Sequence, residues 1–327
     1  MSTVLEHYTA QDLVQRTSKR AGEQRLGEVL AAVSSGEWES NTPLPYKFVI
    51  VGIEEDFGVR GNHGRGGTQH SFGAFLSYLC NFQSNRFFPA ESVAVLGAII
   101  ATQQIEDGQL EALREATAQN DHVVKEVVER IAKRGAIPIV VGGGHNNSYG
   151  CLAGVSAAAE RAVHCLNIDA HTDLRNLEGR HSGNGFTYAL EQGALERYFM
   201  LGIQENYTPE HIWQRIEDNE VIDLASFEDL MSGEEQWDEV YVRIAEHLGD
   251  RYGLELDTDV IANFPSSAQS VSGFSFEEVR KMMYALDVRP DYFHICEGRV
   301  SNETEYALVG RGLALLVADF IKAHIHS

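Results

Sequence analysis

Three residues of metal-binding type lie at alternating positions directly after an apolar run. The segment is NIDAHTDLR (167–175), and the three residues are Asp169, His171 and Asp173. Alternate residues of an extended chain project to the same side, so these side chains can approach one cation together. Taken alone, the segment is also compatible with a polar loop that contains a capping aspartate.

Further candidate ligands follow three other apolar segments. His145 follows VVGGG, Asp257 and Asp259 end the segment LELDTD, and Glu297 follows YFHIC. Each has a structural alternative: a core histidine for His145, a turn for the two aspartates and a surface ion pair for Glu297. Because the same kind of residue recurs at four predicted strand ends, a shared site is favoured over coincidence.

The candidate metal ligands are two imidazoles and four carboxylates: His145, Asp169, His171, Asp173, Asp257 and Asp259. Four negative charges balance two divalent cations. Since the set contains no thiolate, it favours a hard or borderline ion over a zinc-finger type of site. Two cations that share carboxylates lie ~3.5–4 Å apart and activate a water molecule. The set therefore predicts a hydrolytic centre with two metal ions.

The elements that must position these residues are short apolar strands and intervening helices. Strands are predicted at 46–53, 136–143, 162–169, 197–203, 252–257 and 292–297, and helices at 121–134, 150–161, 275–286 and 304–323. Strands without polar alternation are buried on both faces, which indicates a parallel sheet between layers of helices. Such sheets bind ligands at the carboxyl ends of their strands.

The chain shows no repeat, low-complexity segment or linker. We interpret residues 1–327 as one domain, with residues 1–45 as a helical N-terminal extension that packs on it. The helical pattern of this extension covers residues 10–34. The glycine-rich, charged segment 54–69 predicts a long functional loop.

Composition excludes several classes of partner. The chain has 48 acidic and 26 basic residues and a formal charge of -22, which argues against binding to nucleic acid or to an anionic membrane. Its four cysteines lack C-x-x-C spacing and predict reduced, buried thiols. No apolar stretch has the length of a membrane span or of a signal sequence, so a cytoplasmic location is expected.

The ordered motifs GGGH, DAHTD, LDTD and a late CE resemble the signature of the ureohydrolases, the family of arginases, agmatinases and formimidoylglutamases. The resemblance extends from VGIEED at residue 51 to the C-terminal helix. It implies a three-layer α/β/α sandwich with a mostly parallel central sheet. It also implies two Mn²⁺ ions per subunit, with Ni²⁺ or Co²⁺ as alternatives, and assembly into homotrimers or hexamers.

The same resemblance implies roles for individual residues. One metal would be held by His145, Asp169, Asp173 and Asp257, and the other by His171, Asp169, Asp257 and Asp259, with Asp169 and Asp257 bridging. Glu297 matches the carboxylate that binds a cationic amidine or guanidine, and Asp173 would carry the proton to the leaving nitrogen. Where arginases have a shuttle histidine this chain has Phe186, and His181 is the candidate replacement.

The favoured substrate is formimidoylglutamate, which would yield glutamate and formamide. Its two carboxylates require cationic or amide donors, and the predicted substrate-binding residues are Arg60, Asn62, Arg65, Arg175, Asn184 and Glu297. GGGH in place of GGDH points the same way, whereas Asn146, Asn147 and the CEGR sequence depart from the family pattern. Arginase and agmatinase activities stay open, as does a purely structural role for these arginines.

Two other functions are possible. A metal-dependent deacetylase has a related fold but uses one zinc ion, and the presence of both Asp257 and Asp259 argues against it. A non-enzymatic scaffold would be expected to lack ligands, whereas all six are present here.

Overall fold

The computed structural model describes residues 2–286 and 288–326. Within these ranges the strands are β1 (Thr3–His7), β2 (Ala31–Ala32), β3 (Phe48–Glu54), β4 (Val93–Ala101), β5 (Ile137–Gly142), β6 (Val163–Ile168), β7 (Leu195–Ile203), β8 (Ile222–Ser226), β9 (Arg251–Asp257) and β10 (Arg289–Cys296). They form one sheet in the order β1-β4-β3-β5-β10-β9-β6-β7-β8, with β2 paired to β4. The β1–β4 pair is antiparallel and the other strand pairs of this sheet are parallel.

Helices cover both faces of the sheet. They are α1 (Ala10–Gln15), α2 (Ser35–Glu39), α3 (Phe57–Gly61), α4 (Ser71–Leu79), α5 (Leu110–Lys133), α6 (Asn147–Ala159), α7 (Gly185–Glu191), α8 (Glu210–Glu217), α9 (Phe227–Ser232), α10 (Trp237–Leu248), α11 (Phe276–Ala285) and α12 (Glu303–His324). Alternate residues of β3 belong to different cores. Phe48 and Ile50 lie in the core that also contains residues of α4, α10, α11 and α12, whereas Val49 and Val51 lie in the core that contains residues of α5 to α8. This arrangement confirms the predicted three-layer α/β/α sandwich.

The first part of the chain differs from the prediction. Thr3–His7 is an edge strand that pairs with Gly97–Ala101, and α1 ends at Gln15, so the helical prediction for residues 10–34 is wrong over most of its length. Residues 18–24 are exposed, and because they offer no apolar face for burial, tertiary packing does not stabilise a helix there. The interpretation of residues 1–327 as one domain stays a prediction.

The segment 54–69 is more ordered than the predicted loop, since it contains α3 and enters a short 3₁₀ turn at Thr68–His70. The four cysteines are buried and unpaired, as predicted. None of the helices in the described ranges combines the length and apolarity that a membrane crossing requires.

A buried ion pair fixes the loop that precedes α7. Arg180 donates to both carboxylate oxygens of Asp121 on α5, at 2.7 and 3.2 Å, and to the backbone carbonyl of Asn146 at 2.8 Å. We expect Arg180→Met to lower the free energy of unfolding by about 3–5 kcal/mol, because it leaves a buried carboxylate without a countercharge. Urea unfolding followed by circular dichroism measures this loss.

The control for this prediction is an exposed ion pair. Arg289 pairs with Asp250 at the surface, and Arg289→Gln should change the free energy of unfolding by less than about 1 kcal/mol. Equal losses of unfolding free energy in the two variants would show that the buried Arg180 pair stabilises the protein no more than the exposed pair does.

Candidate metal centre

Four neighbouring strands, β5, β10, β9 and β6, bring the candidate residues to one edge of the sheet. Asp169 directly follows β6, Asp257 is the last residue of β9, and Glu297 directly follows β10. His145 lies three residues beyond β5, after Gly142 and Gly143 turn the chain with φ values of 95° and 67°. The carboxyl ends of the strands therefore converge as the sequence predicts.

The first group of ligands surrounds one nitrogen of His145. Its Nδ1 lies 2.9 Å from Asp173 Oδ2, 3.1 Å from Asp169 Oδ2 and 3.3 Å from Asp257 Oδ2. In the described part of the chain this buried nitrogen has no well-formed hydrogen bond. One imidazole nitrogen that faces three carboxylate oxygens is a donor set that a divalent cation fits. All four residues predicted for the first metal are thus together.

The second group is formed around His171. Its Nδ1 lies 2.9 Å from Asp259 Oδ2 and 3.7 Å from Asp169 Oδ1, so Asp169 belongs to both groups. Asp257, the predicted second bridge, groups with the first set, and its Oδ1 accepts a hydrogen bond from the Asp259 backbone N–H at 2.8 Å. Its role in the second site stays a prediction.

The electrostatics of these groups favour bound cations. Burial, together with the neighbouring Asp259 and Asp169 carboxylates, raises the pKa of Asp257 well above its ordinary value. Burial lowers the pKa of His171, but the facing Asp259 and Asp169 outweigh it and raise that pKa well above 6.5. Buried like charges repel one another strongly, and divalent cations would remove this repulsion. The residues present therefore fit two divalent ions.

Glu297 lies beside the first group. Its φ of 63° turns the chain sharply after β10, and its carboxylate accepts hydrogen bonds from the His145 backbone N–H, at 2.7 Å, and from the Ser267 hydroxyl. Burial raises the pKa of Glu297 to about 7, against these hydrogen bonds, which lower it. The carboxylate is thus held in place while it still lines the cavity above the ligands.

That cavity has a volume of about 610 Å³ and reaches from the ligand groups to the surface. Besides Glu297, two more of the predicted substrate-binding residues, Asn62 and Arg175, line it together with Glu178. Arg175 is half exposed, donates to Asn62 Oδ1 at 3.0 Å and lies 3.3 Å from Glu178 Oε1. The cavity therefore offers a fixed carboxylate at its base and a guanidinium at its rim.

Two predicted substrate-binding arginines lie outside this cavity. Arg60 donates to Asp107 at 2.8 Å and to the Ile105 carbonyl, and Arg65 donates to the carbonyls of Ser267 and Ser266 at 3.0 and 3.1 Å. Both line a neighbouring cavity instead. Partners within the fold bind both guanidinium groups and hold them away from this cavity, so direct contact of Arg60 and Arg65 with the substrate stays a prediction.

Asn184, a further predicted substrate-binding residue, is held within its own loop. Its amide oxygen accepts hydrogen bonds from Arg180 and from the His181 backbone N–H, and its amide nitrogen donates to the carbonyls of Asn176 and Gly179. The side chain is buried and all its hydrogen-bonding groups are used within the loop. Asn184 therefore shapes the loop and does not contact the cavity.

His181 is not placed to shuttle protons. It is buried, its Nδ1 accepts from the Gly183 backbone N–H at 3.1 Å, and its Nε2 lies 3.1 Å from Glu178 Oε1. Burial lowers the pKa of His181 to about 4. Phe186 packs edge-on against His145, with ring centroids 5.2 Å apart, and stacks on Tyr198. Phe186, at the position where the resemblance places the arginase shuttle, thus packs against His145, a predicted metal ligand.

Sequence reasoning missed the polar residues beneath the ligands. Asn167, Glu255 and His294 are buried within strands β6, β9 and β10. Asn167 donates to Asp169 Oδ2 at 3.0 Å, and Glu255 Oε2 lies 3.5 Å from His145 Nε2. The available signal was a polar residue inside a mainly apolar strand, which for Asn167 and Glu255 lies two positions before a predicted ligand.

Comparison with known proteins gives the family. A model of the arginase family matches residues 46–294. Formimidoylglutamase from Geobacillus thermodenitrificans is 33% identical over 166 residues, which make up 50% of this chain and 48% of that protein. The chain spans about half the length of the curated relatives it matches.

Solved structures share the fold over nearly the whole chain. Formimidoylglutamase from Bacillus subtilis has a TM-score of 0.77 at 15% identity and covers 95% of both chains. Formiminoglutamase from Trypanosoma cruzi, solved with manganese, has a TM-score of 0.71 at 21% identity and covers 91% of this chain and 98% of that one. Together with the family-model match over most of the chain, the motifs and the fold establish that this chain belongs to the arginase family.

Proposed function

We propose that the protein is a two-metal hydrolase that cleaves carbon–nitrogen bonds of linear amidines, with formimidoylglutamate as its substrate. Water would convert this substrate into glutamate and formamide. The observation that carries the proposal is the convergence of two ligand groups, which share Asp169, beneath a cavity that the Glu297 carboxylate also lines. The formimidoylglutamase names of the sequence relatives support the choice of substrate.

The proposed cofactors are two Mn²⁺ ions per subunit, with Ni²⁺ and Co²⁺ as alternatives. Oxygen-rich ligand sets with imidazole suit Mn²⁺, and the Trypanosoma cruzi formiminoglutamase was solved with manganese. When bound, the two cations would lower the pKa of a shared water so that it becomes a nucleophile near neutral pH.

The chain's own residues would hold the substrate and move its protons. The Glu297 carboxylate would pair with the N–H groups of the amidine and fix its planar carbon for attack. Asp173, beside His145 at the base of the cavity, would accept the proton of the attacking water and deliver it to the leaving glutamate nitrogen. Arg175 and Asn62 would bind a substrate carboxylate at the rim.

The charged residues at the rim, Arg175 and Glu178, help to distinguish between the alternative substrates. Agmatine has no carboxylate and ends in an ammonium group, which Arg175 would repel. Arginine has a carboxylate for Arg175 and an ammonium group for Glu178, so arginase activity is the second candidate.

A substrate panel tests the proposal. We expect two equivalents of Mn²⁺ in the loaded protein and a higher kcat/KM for formimidoylglutamate than for arginine or agmatine, with Ni²⁺ and Co²⁺ compared in turn. A higher kcat/KM for arginine would replace the proposed substrate. One tightly bound zinc ion and hydrolysis of acetyl-lysine would favour the deacetylase.

Arg175→Gln should lower kcat/KM for formimidoylglutamate about tenfold, mainly through KM, because one charged hydrogen bond at a half-exposed position is lost. Initial rates over a range of substrate concentrations give both constants. The matched control is Arg60→Gln, which removes a guanidinium outside the cavity and should leave KM unchanged. An equal rise in KM in both variants would mean that the overall charge, and not a rim contact, binds the substrate.

The assembly and the location are further proposals. We infer a homotrimer or hexamer in the cytoplasm, on the basis of the ureohydrolase resemblance and of four unpaired, buried cysteines. Light scattering of the purified protein measures the assembly.

A further inference from the structure

A second row of polar side chains lies one step deeper in the sheet than the metal-ligand groups. Asn167, Glu255 and His294 occupy paired register positions of β6, β9 and β10, and all three are fully buried. Asn167 and Glu255 precede Asp169 and Asp257 by two residues, so both rows project from the same face of the sheet. Burying polar groups in a parallel sheet costs free energy unless each group has partners. The hydrogen-bond partners of these three side chains therefore indicate what the row does in the fold.

Glu255 is the centre of the deeper row. Its Oε1 accepts the Tyr292 hydroxyl at 2.6 Å, and its Oε2 lies 2.6 Å from His294 Nδ1. The same Oε2 lies 3.5 Å from Nε2 of His145. These contacts hold the carboxylate firmly between the inner strands and the histidine of the first ligand group.

Both nitrogens of His145 have defined surroundings. Nδ1 faces the carboxylates of Asp169, Asp173 and Asp257, so a cation bound there needs Nδ1 without a proton. The proton of the neutral ring is then on Nε2, which faces Glu255 and has no well-formed hydrogen bond with any described residue. A small approach of the ring to Oε2 would complete this bond.

We infer that Glu255 is a positioning residue, which fixes the tautomer and the ring plane of His145 for metal binding. The inference rests on the proposed function, in which His145 is a metal ligand. A carboxylate behind a metal-bound imidazole orients the ring and strengthens the ligand nitrogen. Phe186, edge-on to the His145 ring, restricts the ring in a second direction, and Asn167 supports Asp169 in the same way.

The test measures metal affinity and not turnover. Glu255→Gln keeps the size of the side chain but removes the negative charge that faces His145 Nε2. Competition with a chelator should show that the Kd of one of the two Mn²⁺ ions rises by about 10–100-fold, while the Kd of the other stays near its wild-type value. Electron paramagnetic resonance of free Mn²⁺ counts the bound ions independently.

The matched control is Tyr292→Phe. This substitution removes the hydrogen bond to Oε1 and loosens the same buried cluster, but it leaves Oε2 towards His145 in place. Its Mn²⁺ affinities should stay near wild type, and thermal unfolding of both metal-free variants reports the loss of packing separately. If Glu255→Gln does not fold, His294→Gln releases the same Oε2 and should weaken one Mn²⁺ site.

Three outcomes overturn the inference: unchanged Mn²⁺ affinity in the folded Glu255→Gln variant, equal weakening in Tyr292→Phe, and unchanged affinity in His294→Gln where that variant is used instead. A wild-type protein that binds no Mn²⁺ overturns the proposed function as well. Weakened Mn²⁺ binding in Glu255→Gln, combined with no amidine hydrolysis by the wild type, would support the inference and reject the proposed function.

Discussion

Asp257→Ala should abolish amidine hydrolysis while the protein stays folded. Asp257 presents Oδ2 to the first ligand group, 3.3 Å from His145 Nδ1, and Oδ1 to the backbone N–H of Asp259. Its loss removes a predicted ligand of both cations, which would supply the activation of water at neutral pH. We expect kcat to fall on the order of 10³-fold or more, measured with Mn²⁺ in excess.

The same variant should not be destabilised when metal is absent. Asp257 is buried beside Asp169 and Asp259, and removing one of these carboxylates relieves their mutual repulsion. With a chelator present, the Tm of Asp257→Ala should therefore equal or exceed that of the wild type. Added Mn²⁺ should raise the wild-type Tm, because it binds the folded state alone, and should raise the variant's Tm much less.

Asp250→Ala is the matched control for this prediction. Asp250 directly precedes β9, the strand that ends at Asp257, but its side chain is exposed and pairs with Arg289 at the surface. The control should keep full activity and the full Mn²⁺-dependent rise in Tm. Normal turnover by Asp257→Ala would refute the metal centre.

The six predicted ligands could be recognised in the sequence, and their grouping in the structure anticipated, because their signal is local. A buried parallel strand must be apolar, so an aspartate or histidine directly after it is conspicuous, and the alternation in DAHTD carries the geometry within five residues. That these strand ends, distant in the sequence, lie close together in space follows from the general architecture of parallel sheets.

The orientation of the polar side chains around the cavity could not be predicted in this way. Arg60 is held by Asp107 and by the carbonyl of Ile105, more than forty residues along the chain. Arg65 is held by carbonyls about two hundred residues away. In the sequence, an arginine near a predicted site is equally consistent with contact to the substrate and with stabilisation of a loop. Only its partners in the folded structure distinguish the two roles.

Non-local pairing also explains the error at the start of the chain. Thr3–His7 forms a strand because it pairs with Gly97–Ala101, and no feature of the first residues encodes that partner. The same cause applies to Glu255, because its partner His294 lies opposite it in the adjacent strand and is not encoded near Glu255 in the sequence.

Glu297→Gln should lower kcat/KM for formimidoylglutamate on the order of 10²–10³-fold, since a neutral amide no longer pairs with the positive charge of the amidine during attack. The substitution preserves the size of the side chain, and its amide oxygen can still accept the His145 backbone N–H. Glu297 is outside both ligand groups, so the variant should keep two equivalents of Mn²⁺. Steady-state kinetics and metal analysis of the same preparation measure the two properties.

Ser267→Ala separates the charge of Glu297 from its placement. The Ser267 hydroxyl donates to Glu297 Oε2, while the Ser267 backbone N–H bonds to the Glu297 carbonyl at 3.0 Å and is unaffected by the substitution. Removing the hydroxyl leaves the charge in place with one hydrogen bond fewer, so kcat/KM should fall only about tenfold. Equal losses in both variants would mean that orientation dominates over charge. Loss of Mn²⁺ from Glu297→Gln would instead assign this carboxylate to metal binding, and the cationic group of the substrate would then need another partner in the cavity.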